Sequence, residues 1–231
     1  MRQFRAILFD VDGTLAETEE LHRRAFNETF AYFGIDWAWD VATYGRLLRV
    51  TGGKERIRHF CKTNRAAADF TDDQIAELHR FKSARYLRLM NAGLCELRPG
   101  VAEFIHAARH RGQRLGIVTT TSRGNVDAIL NPNFGQAWRE MFEAVVAGED
   151  VERKKPAPDA YLKALQILDL QGGDCLAVED SRNGLVAARD AGIAVLITRS
   201  AYFYDDDFAG AHRVVGDLTQ MHQFEPDLPS L

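Results

Sequence analysis

The sequence predicts an α/β protein, a doubly wound parallel sheet interrupted after its first strand by a small inserted bundle of helices. Three observations lead there. The run Ile7-Leu8-Phe9 is apolar at every position, as in a strand buried on both faces. Four helical patterns then follow one another with no strand between them. From Val101 onward strands and helices alternate, the mark of a parallel sheet with right-handed crossovers.

The first strand ends in Asp10-Val11-Asp12-Gly13-Thr14-Leu15. Carboxylates at i and i+2 of an extended chain share one side, and crowding them is tolerated when a metal or a catalytic task compensates the cost. Gly13 supplies a turn, and Thr14 is expected at the start of a helix. Between Thr18 and Phe33, the residues Leu21, Ala25, Phe26, Phe30 and Phe33 recur at near-helical spacing, with Gly34 as the C-cap. Asp40–Leu48, Lys54–Cys61 and Asp72–Met90 read as three more helices, the last opened by the capping box Thr71-Asp72-Asp73-Gln74. Arg98-Pro99-Gly100 reads as the linker back. The expected division is therefore an α/β core of residues 1–15 and 97–231 and a helical domain of residues 16–96.

In the core, Arg114–Thr119, Ala144–Ala147, Cys175–Val178 and Ala194–Thr198 read as strands, with Arg213-Val214-Val215 as an added edge. Val101–Arg111, Gly124–Leu130, Asp159–Leu168 and Asn183–Ala191 read as the helices between them. Asp205-Asp206-Asp207 reads as a solvated turn, and the tail from Gln220 as loosely held.

A chain of 231 residues buries roughly 70–75% of its unfolded surface and needs no covalent staples. Hydrophobic residues at 46% and charged residues at 27% are an ordinary globular balance. Lys and Arg number 29 against 33 Asp and Glu, a net charge of -4, so no basic field favours nucleic acid or an anionic membrane surface. Cys61, Cys95 and Cys175 lie far apart with no paired spacing, as packing residues in a reducing compartment do. Met1-Arg2-Gln3-Phe4 leads straight into the first strand, and no apolar run approaches the roughly 20 residues of a membrane span. A soluble cytoplasmic monomer is the expectation.

Polar residues gather where strands end. Asp10 and Asp12 follow the first, Thr119-Thr120-Thr121-Ser122 the second, Lys154-Lys155-Pro156 the third, and Glu179-Asp180-Ser181 the fourth. In a parallel sheet these tips lie along one edge, beyond the carboxyl ends of the strands where ligands of open α/β sheets bind. Each motif alone has an ordinary explanation as a turn, a helix cap or exposed charge. Together they supply what phosphoryl transfer requires: a nucleophile, neutralising charge and a proton donor. Asp10 and Asp180, with the Asp12 main-chain carbonyl, suit Mg²⁺; Lys155 adds positive charge; Thr119 and Thr120 offer donors; Asp12 is placed for proton transfer.

These residues resemble the haloacid dehalogenase superfamily of phosphohydrolases over essentially the whole chain. The resemblance rests on Phe9 to Leu15, Thr119, Lys155-Pro156-Ala157-Pro158-Asp159, and Val178 to Ser181 with Asn183-Gly184. It implies a Rossmann-like core with a helical cap that closes over the site. It implies Asp10 as nucleophile, Asp12 as general acid and base, Thr119 and Lys155 on the transferring phosphoryl group, and Asp180 completing the Mg²⁺ site with Glu179 behind it. Glu17 to Glu28, Tyr44 and Thr51-Gly52-Gly53-Lys54-Glu55-Arg56-Ile57 further resemble the CbbY-type phosphatases of carbon-fixing organisms. That implies xylulose 1,5-bisphosphate, an inhibitory by-product of Rubisco, as substrate, with Glu17 and Tyr44 on the sugar hydroxyls. Gly53 and Lys54 suit a second phosphate, since glycine admits an anion to the backbone and a helix start attracts it.

Two other readings stay open at this point. Thr18 and His22 share their spacing with the β-phosphoglucomutases, which return the phosphoryl group to a sugar, and a phosphatase of another sugar phosphate fits the same site. A receiver-like module, phosphorylated on aspartate for signalling, also gathers acidic residues, a threonine and a lysine at strand ends, but lacks both the helical insert and the second aspartate.

Overall fold

The computed structural model describes residues 4–64, 70–92 and 96–221. The expectations for Cys95 and for the tail after residue 221 fall outside them. In chain order the elements are β1 (Ala6–Phe9), α1 (Glu19–Tyr32), α2 (Val41–Leu47), α3 (Gly53–Thr63), α4 (Asp72–Asn91), α5 (Val101–His110), β2 (Arg114–Val118), α6 (Arg123–Phe134), α7 (Trp138–Met141), β3 (Ala144–Val146), α8 (Asp159–Leu168), β4 (Cys175–Glu179), α9 (Arg182–Asp190), β5 (Ala194–Thr198) and β6 (Arg213–Val215). They form two compact units, Met1–Glu17 with Glu96–Leu231, and Thr18–Cys95.

The first unit is a six-stranded sheet in the order β3-β2-β1-β4-β5-β6. Every pairing is parallel. β1 lies between β2 and β4, and all four of its residues are buried. Alternation explains its unbroken apolar run. Ala6 and Leu8 join a core that includes Tyr161, Leu165 and Leu185 of α8 and α9. Phe9 packs edge-on against Phe104 of α5 and Phe142 at centroid distances of 6.1 and 6.3 Å. In α8 the buried residues Ala160, Tyr161, Ala164, Leu165 and Leu168 form one stripe, as a helix on a sheet requires.

Because β2 and β4 flank β1, the strand order reverses at the centre of the sheet, where the first and fourth strand tips become neighbours. The register pairs Phe9 with Val178, so Asp10 and Glu179 stand level. Helix α6 runs to Phe134, four residues beyond the expected end at Leu130. Pro132, which reads as a terminator, lies inside it, and the Ile129 carbonyl accepts from the Asn133 side chain at 2.7 Å.

In the second unit α1 and α4 pack together, and Phe26, Phe30, Trp39 and Tyr44 form a buried aromatic core. Asn27 clips the connection after α1 with two 2.9 Å bonds to the Trp39 backbone. The capping box at Thr71 and Gln74 is present in full. Helix α1 begins at Glu19 with Thr18 as its N-cap, so Thr14 does not start a helix. Val11 is the reason: its carbonyl accepts from the amides of Thr14, Leu15 and Ala16, folding that stretch into a turn. Among the described residues no helix is long and apolar enough to cross a membrane.

Candidate active site

The β1 tip is shaped by backbone hydrogen bonding. The Asp10 amide still donates to Val178 O at 3.0 Å, in line with the sheet, and the chain then curls around the Val11 carbonyl. Gly13 sits at φ 79°, which side chains disfavour. It also leaves space: a Cβ there would lie 1.9 Å from Asp180 Oδ2. Asp10 is buried and Asp12 part-exposed, so the two carboxylates of one motif meet different surroundings.

Lys155 joins three strand tips. Its ammonium donates to Asp10 Oδ1 at 2.7 Å, to Val118 O at 2.8 Å and to Glu179 Oε1 at 2.6 Å. The Tyr161 hydroxyl donates to the same Glu179 oxygen at 2.6 Å. Burial pushes the Asp10 carboxyl up to about 8 even though the ammonium pulls the other way. For Lys155 burial works to lower the pKa, and the carboxylates of Asp10 and Glu179 overcome it, so the lysine is held charged. The Tyr161 hydroxyl is raised by burial and then by Glu179, and so stays a donor.

The same cluster fits a hard divalent cation. Asp10, Glu179 and Asp180 each bring a carboxylate oxygen within 4.8 Å of the others. Three acidic groups crowd around one ammonium, and a bound cation would favour their ionised forms; Glu179 Oε2 is buried with no hydrogen-bond partner. Oxygen donors of this kind suit Mg²⁺ rather than softer metals. Asp180 is held from the side by the Ser200 hydroxyl, which donates to Oδ2 at 2.7 Å. At Gly184 a Cβ would lie 1.9 Å from Glu179 Oε2, so this glycine is the space the carboxylate occupies.

Thr119 lies just past β2, with its amide on Val146 O at 2.9 Å and its hydroxyl accepting from the Thr121 amide at 3.2 Å. Thr120 follows in the turn before Ser122, the N-cap of α6. The loop toward Lys155 is tied to this turn. Gly148 donates to Thr121 O at 2.7 Å, and Arg123 donates to Asp150 Oδ2 at 2.6 Å. The core unit thus combines a buried carboxylate beside a fixed ammonium, a second, more exposed carboxylate, hydroxyl and amide donors, and a cation-sized acidic group, which together suit hydrolysis of a phosphate ester.

A family model for haloacid dehalogenase-like hydrolases matches residues 4–192. The chain belongs to that family. It is a phosphatase, a phosphoric monoester hydrolase. Protein CbbY of Rhodobacter capsulatus is 49% identical over 228 residues, 98% of this chain and 100% of the relative. The crystal structure of CbbY from Rhodobacter sphaeroides in complex with phosphate is 47% identical, covers 95% of this chain and 96% of that one, and superposes with a TM-score of 0.89. A mutant of that protein in complex with xylulose-(1,5)bisphosphate matches with the same TM-score of 0.89 and 47% identity, over 94% of this chain and 96% of that one.

Within this hydrolase Asp10, Asp12, Thr119, Thr120, Glu179 and Asp180 lie at strand tips of one sheet edge, whereas Lys155 lies well beyond β3, in the loop before α8, and reaches that edge through its ammonium. Glu17 lies in the same unit, its carboxylate 3.2 Å from Arg98 Nε and accepting from the Ala201 amide at 3.3 Å. Tyr44, Gly53 and Lys54 belong to the helical unit. The Tyr44 ring is fully buried, and its hydroxyl donates to Glu19 Oε2 at 2.7 Å and accepts from Arg56 at 3.1 Å. Lys54 is exposed at the start of α3, after Gly52 at φ 96°. At Gly53 a Cβ would lie 2.6 Å from the His79 ring, so a larger residue there would have to displace that side chain.

Three residues of the site escaped the sequence reading, and of a fourth, Gly184, only the motif and not the task was read. Tyr161 looks like any buried aromatic of an amphipathic helix, and Gly184 like a helix-start glycine. Ser200 follows the fifth strand, and the rule that flagged the other strand ends would have flagged it too. Arg98, read as part of a linker, is buried; its guanidinium donates to Gly13 O, to Thr198 Oγ1 at 2.9 Å, to Arg199 O and to Gly216 O at 3.1 Å.

Proposed function

We propose that this hydrolase removes one phosphate from a sugar bisphosphate, xylulose 1,5-bisphosphate, leaving xylulose 5-phosphate, with Mg²⁺ as cofactor. The observation that carries this reading is the 47% identity, over 94% of the chain, to a CbbY whose structure was solved with xylulose-(1,5)bisphosphate. Asp10, Asp180 and the Asp12 main-chain carbonyl would hold the ion, with Glu179 behind them. When bound, Mg²⁺ offsets the repulsion between an anionic nucleophile and an anionic substrate.

Asp10 attacks phosphorus in line, forming an aspartyl-phosphate as the bond from phosphorus to the sugar oxygen breaks. Asp12 gives its proton to that oxygen. It then takes a proton from water, whose attack on phosphorus restores the Asp10 carboxylate and releases phosphate. Lys155, fixed by three acceptors, keeps positive charge beside Asp10 throughout, and Thr119 and Thr120 donate to the equatorial oxygens. In this reading Gly53 and Lys54 at the start of α3 would take the distal phosphate, and Glu17 and Tyr44 the sugar hydroxyls.

Phosphate release across a panel of sugar mono- and bisphosphates tests the reading. Xylulose 1,5-bisphosphate is expected to lead, with Mg²⁺ required and Asp10→Asn inactive; metal-independent turnover by that variant would overturn the mechanism. Lys54→Ala is expected to lose the preference for a bisphosphate. A mutase would yield an isomeric sugar phosphate with no net phosphate, so the same product assay separates the two activities.

A further inference from the structure

The tip of β5 has no part in the reaction proposed above, yet it is held on both sides. Arg98 donates to Thr198 Oγ1 at 2.9 Å and to Arg199 O, and the Ala201 amide faces the Glu17 carboxylate at 3.3 Å. Ser200 lies between these anchors, 2% exposed, with its hydroxyl on Asp180 Oδ2 at 2.7 Å. On the other side, the Cβ that Gly13 lacks would stand 1.9 Å from the same oxygen and 3.3 Å from Ser200 Cβ. The Asp180 carboxylate is therefore wedged between the backbone of the Asp12-Gly13 turn and one serine hydroxyl.

We propose that Ser200 is a positioning residue for the cation site: its hydroxyl fixes the plane of the Asp180 carboxylate so that this group stands ready with that of Asp10. The proposal rests on the reading of Asp180 as a metal ligand. A carboxylate able to rotate must be ordered when the ion arrives, and it also competes for contacts elsewhere in its buried pocket. One already held by a neighbouring donor on a rigid segment binds without that loss. Ser200 is suited to the task because Arg98 and Glu17 fix its neighbours on both sides, so the hydroxyl can hold Asp180 instead of following it.

The test is Mg²⁺ binding to the whole protein by titration calorimetry, with no substrate present, for the wild type, Ser200→Ala, Ser200→Thr and Asp180→Asn. Ser200→Ala is expected to weaken Mg²⁺ binding about tenfold, the lower end of the usual loss when a group supporting a metal ligand is removed. Ser200→Thr, which keeps the hydroxyl, is expected to bind close to the wild type, and thermal unfolding in chelator shows that both variants fold. In turnover assays the Mg²⁺ concentration for half-activation rises in Ser200→Ala, while kcat at saturating Mg²⁺ changes little. Unchanged Mg²⁺ binding by Ser200→Ala, beside a wild type that binds and an Asp180→Asn that does not, overturns the role of Ser200 alone. Equal weakening in the alanine and threonine variants also overturns it, by showing that packing and not the hydroxyl matters. A wild type that takes up no Mg²⁺ overturns the metal reading itself.

Discussion

Replacing Gly184 by alanine pits two physical expectations against each other. Gly184 is the third residue of α9, and helix propensity alone favours alanine there by up to about 1 kcal/mol. The structure predicts the opposite sign. A Cβ at this position would lie 1.9 Å from Glu179 Oε2 and 2.1 Å from Cδ, so the carboxylate must move. A side-chain end usually moves at little cost, but Glu179 is fully buried and bound at 2.6 Å by both Lys155 and Tyr161. Overfilling a packed interior costs about 1–3 kcal/mol, and each hydrogen bond to a charged group about 1.5–3 kcal/mol when lost. With one such bond lost and the propensity gain subtracted, Gly184→Ala is expected to destabilise by roughly 1.5–5 kcal/mol. Urea unfolding measures this, and phosphatase activity is expected to fall with it because Lys155 loses a partner. Repeating the substitution in a Glu179→Ala background isolates the clash, since there the added methyl is expected to be neutral or stabilising. A Gly184→Ala protein as stable and active as the wild type would refute the reasoning.

Arg98→Lys keeps the charge but not the fork that reaches Gly13, Thr198, Arg199 and Gly216, and it is expected to cost about 3 kcal/mol or more in denaturant unfolding. Tyr161→Phe, which removes only the donor to Glu179, is expected to cost about 1.5–3 kcal/mol in the same measurement. For Asp150, burial works upward, and the bonds from the Ala147 amide and Arg123 outweigh it to hold the carboxyl below its ordinary range. Its contribution is therefore complete above about pH 4 and is lost as pH falls through the lower folded value, so the stability gap between wild type and Arg123→Ala is expected to close in acid. Burial pushes the Cys175 thiol up to about 11. The wild type is expected to lose stability as pH rises from about 8.5 through that value, a slope that Cys175→Ala removes in pH-dependent thermal unfolding.

The sheet was legible in the sequence because its central strand is apolar on both faces and each strand ends abruptly in polar chemistry. Asp10, Lys155 and Asp180 could be found without coordinates for the same reason. What could not be read locally is contact across the sheet edge. Arg98 stands in an Arg-Pro-Gly stretch that looks like solvent-exposed linker, and only the folded chain shows three segments, at Gly13, Thr198-Arg199 and Gly216, converging on it. Thr14 follows a strand and a glycine, as a helix start would, but the Val11 carbonyl captures the next amides first. Gly53 fits an anion-binding turn by sequence, whereas in the bundle it faces the ring of His79, a residue 26 positions later. Pro132 normally ends a helix, and the Asn133 side chain supplies a donor to the preceding turn.

The position of β1 between β2 and β4 bears on how the protein emerges from the ribosome. Its partner on one side, β2, is made by Val118, but its partner on the other, β4, does not exist until Cys175–Glu179 has been synthesised. Until then the most apolar strand of the sheet presents an open edge, able to pair with any other extended chain nearby. Lys155 also meets Asp10 across a separation of 145 residues, and Glu179 and Asp180 arrive later still. The Asp10 carboxylate thus acquires its ammonium and its acidic neighbours only after most of the core has been made. A nascent chain stalled before β4 is expected to lack the acidic group at this edge and to keep that open strand exposed.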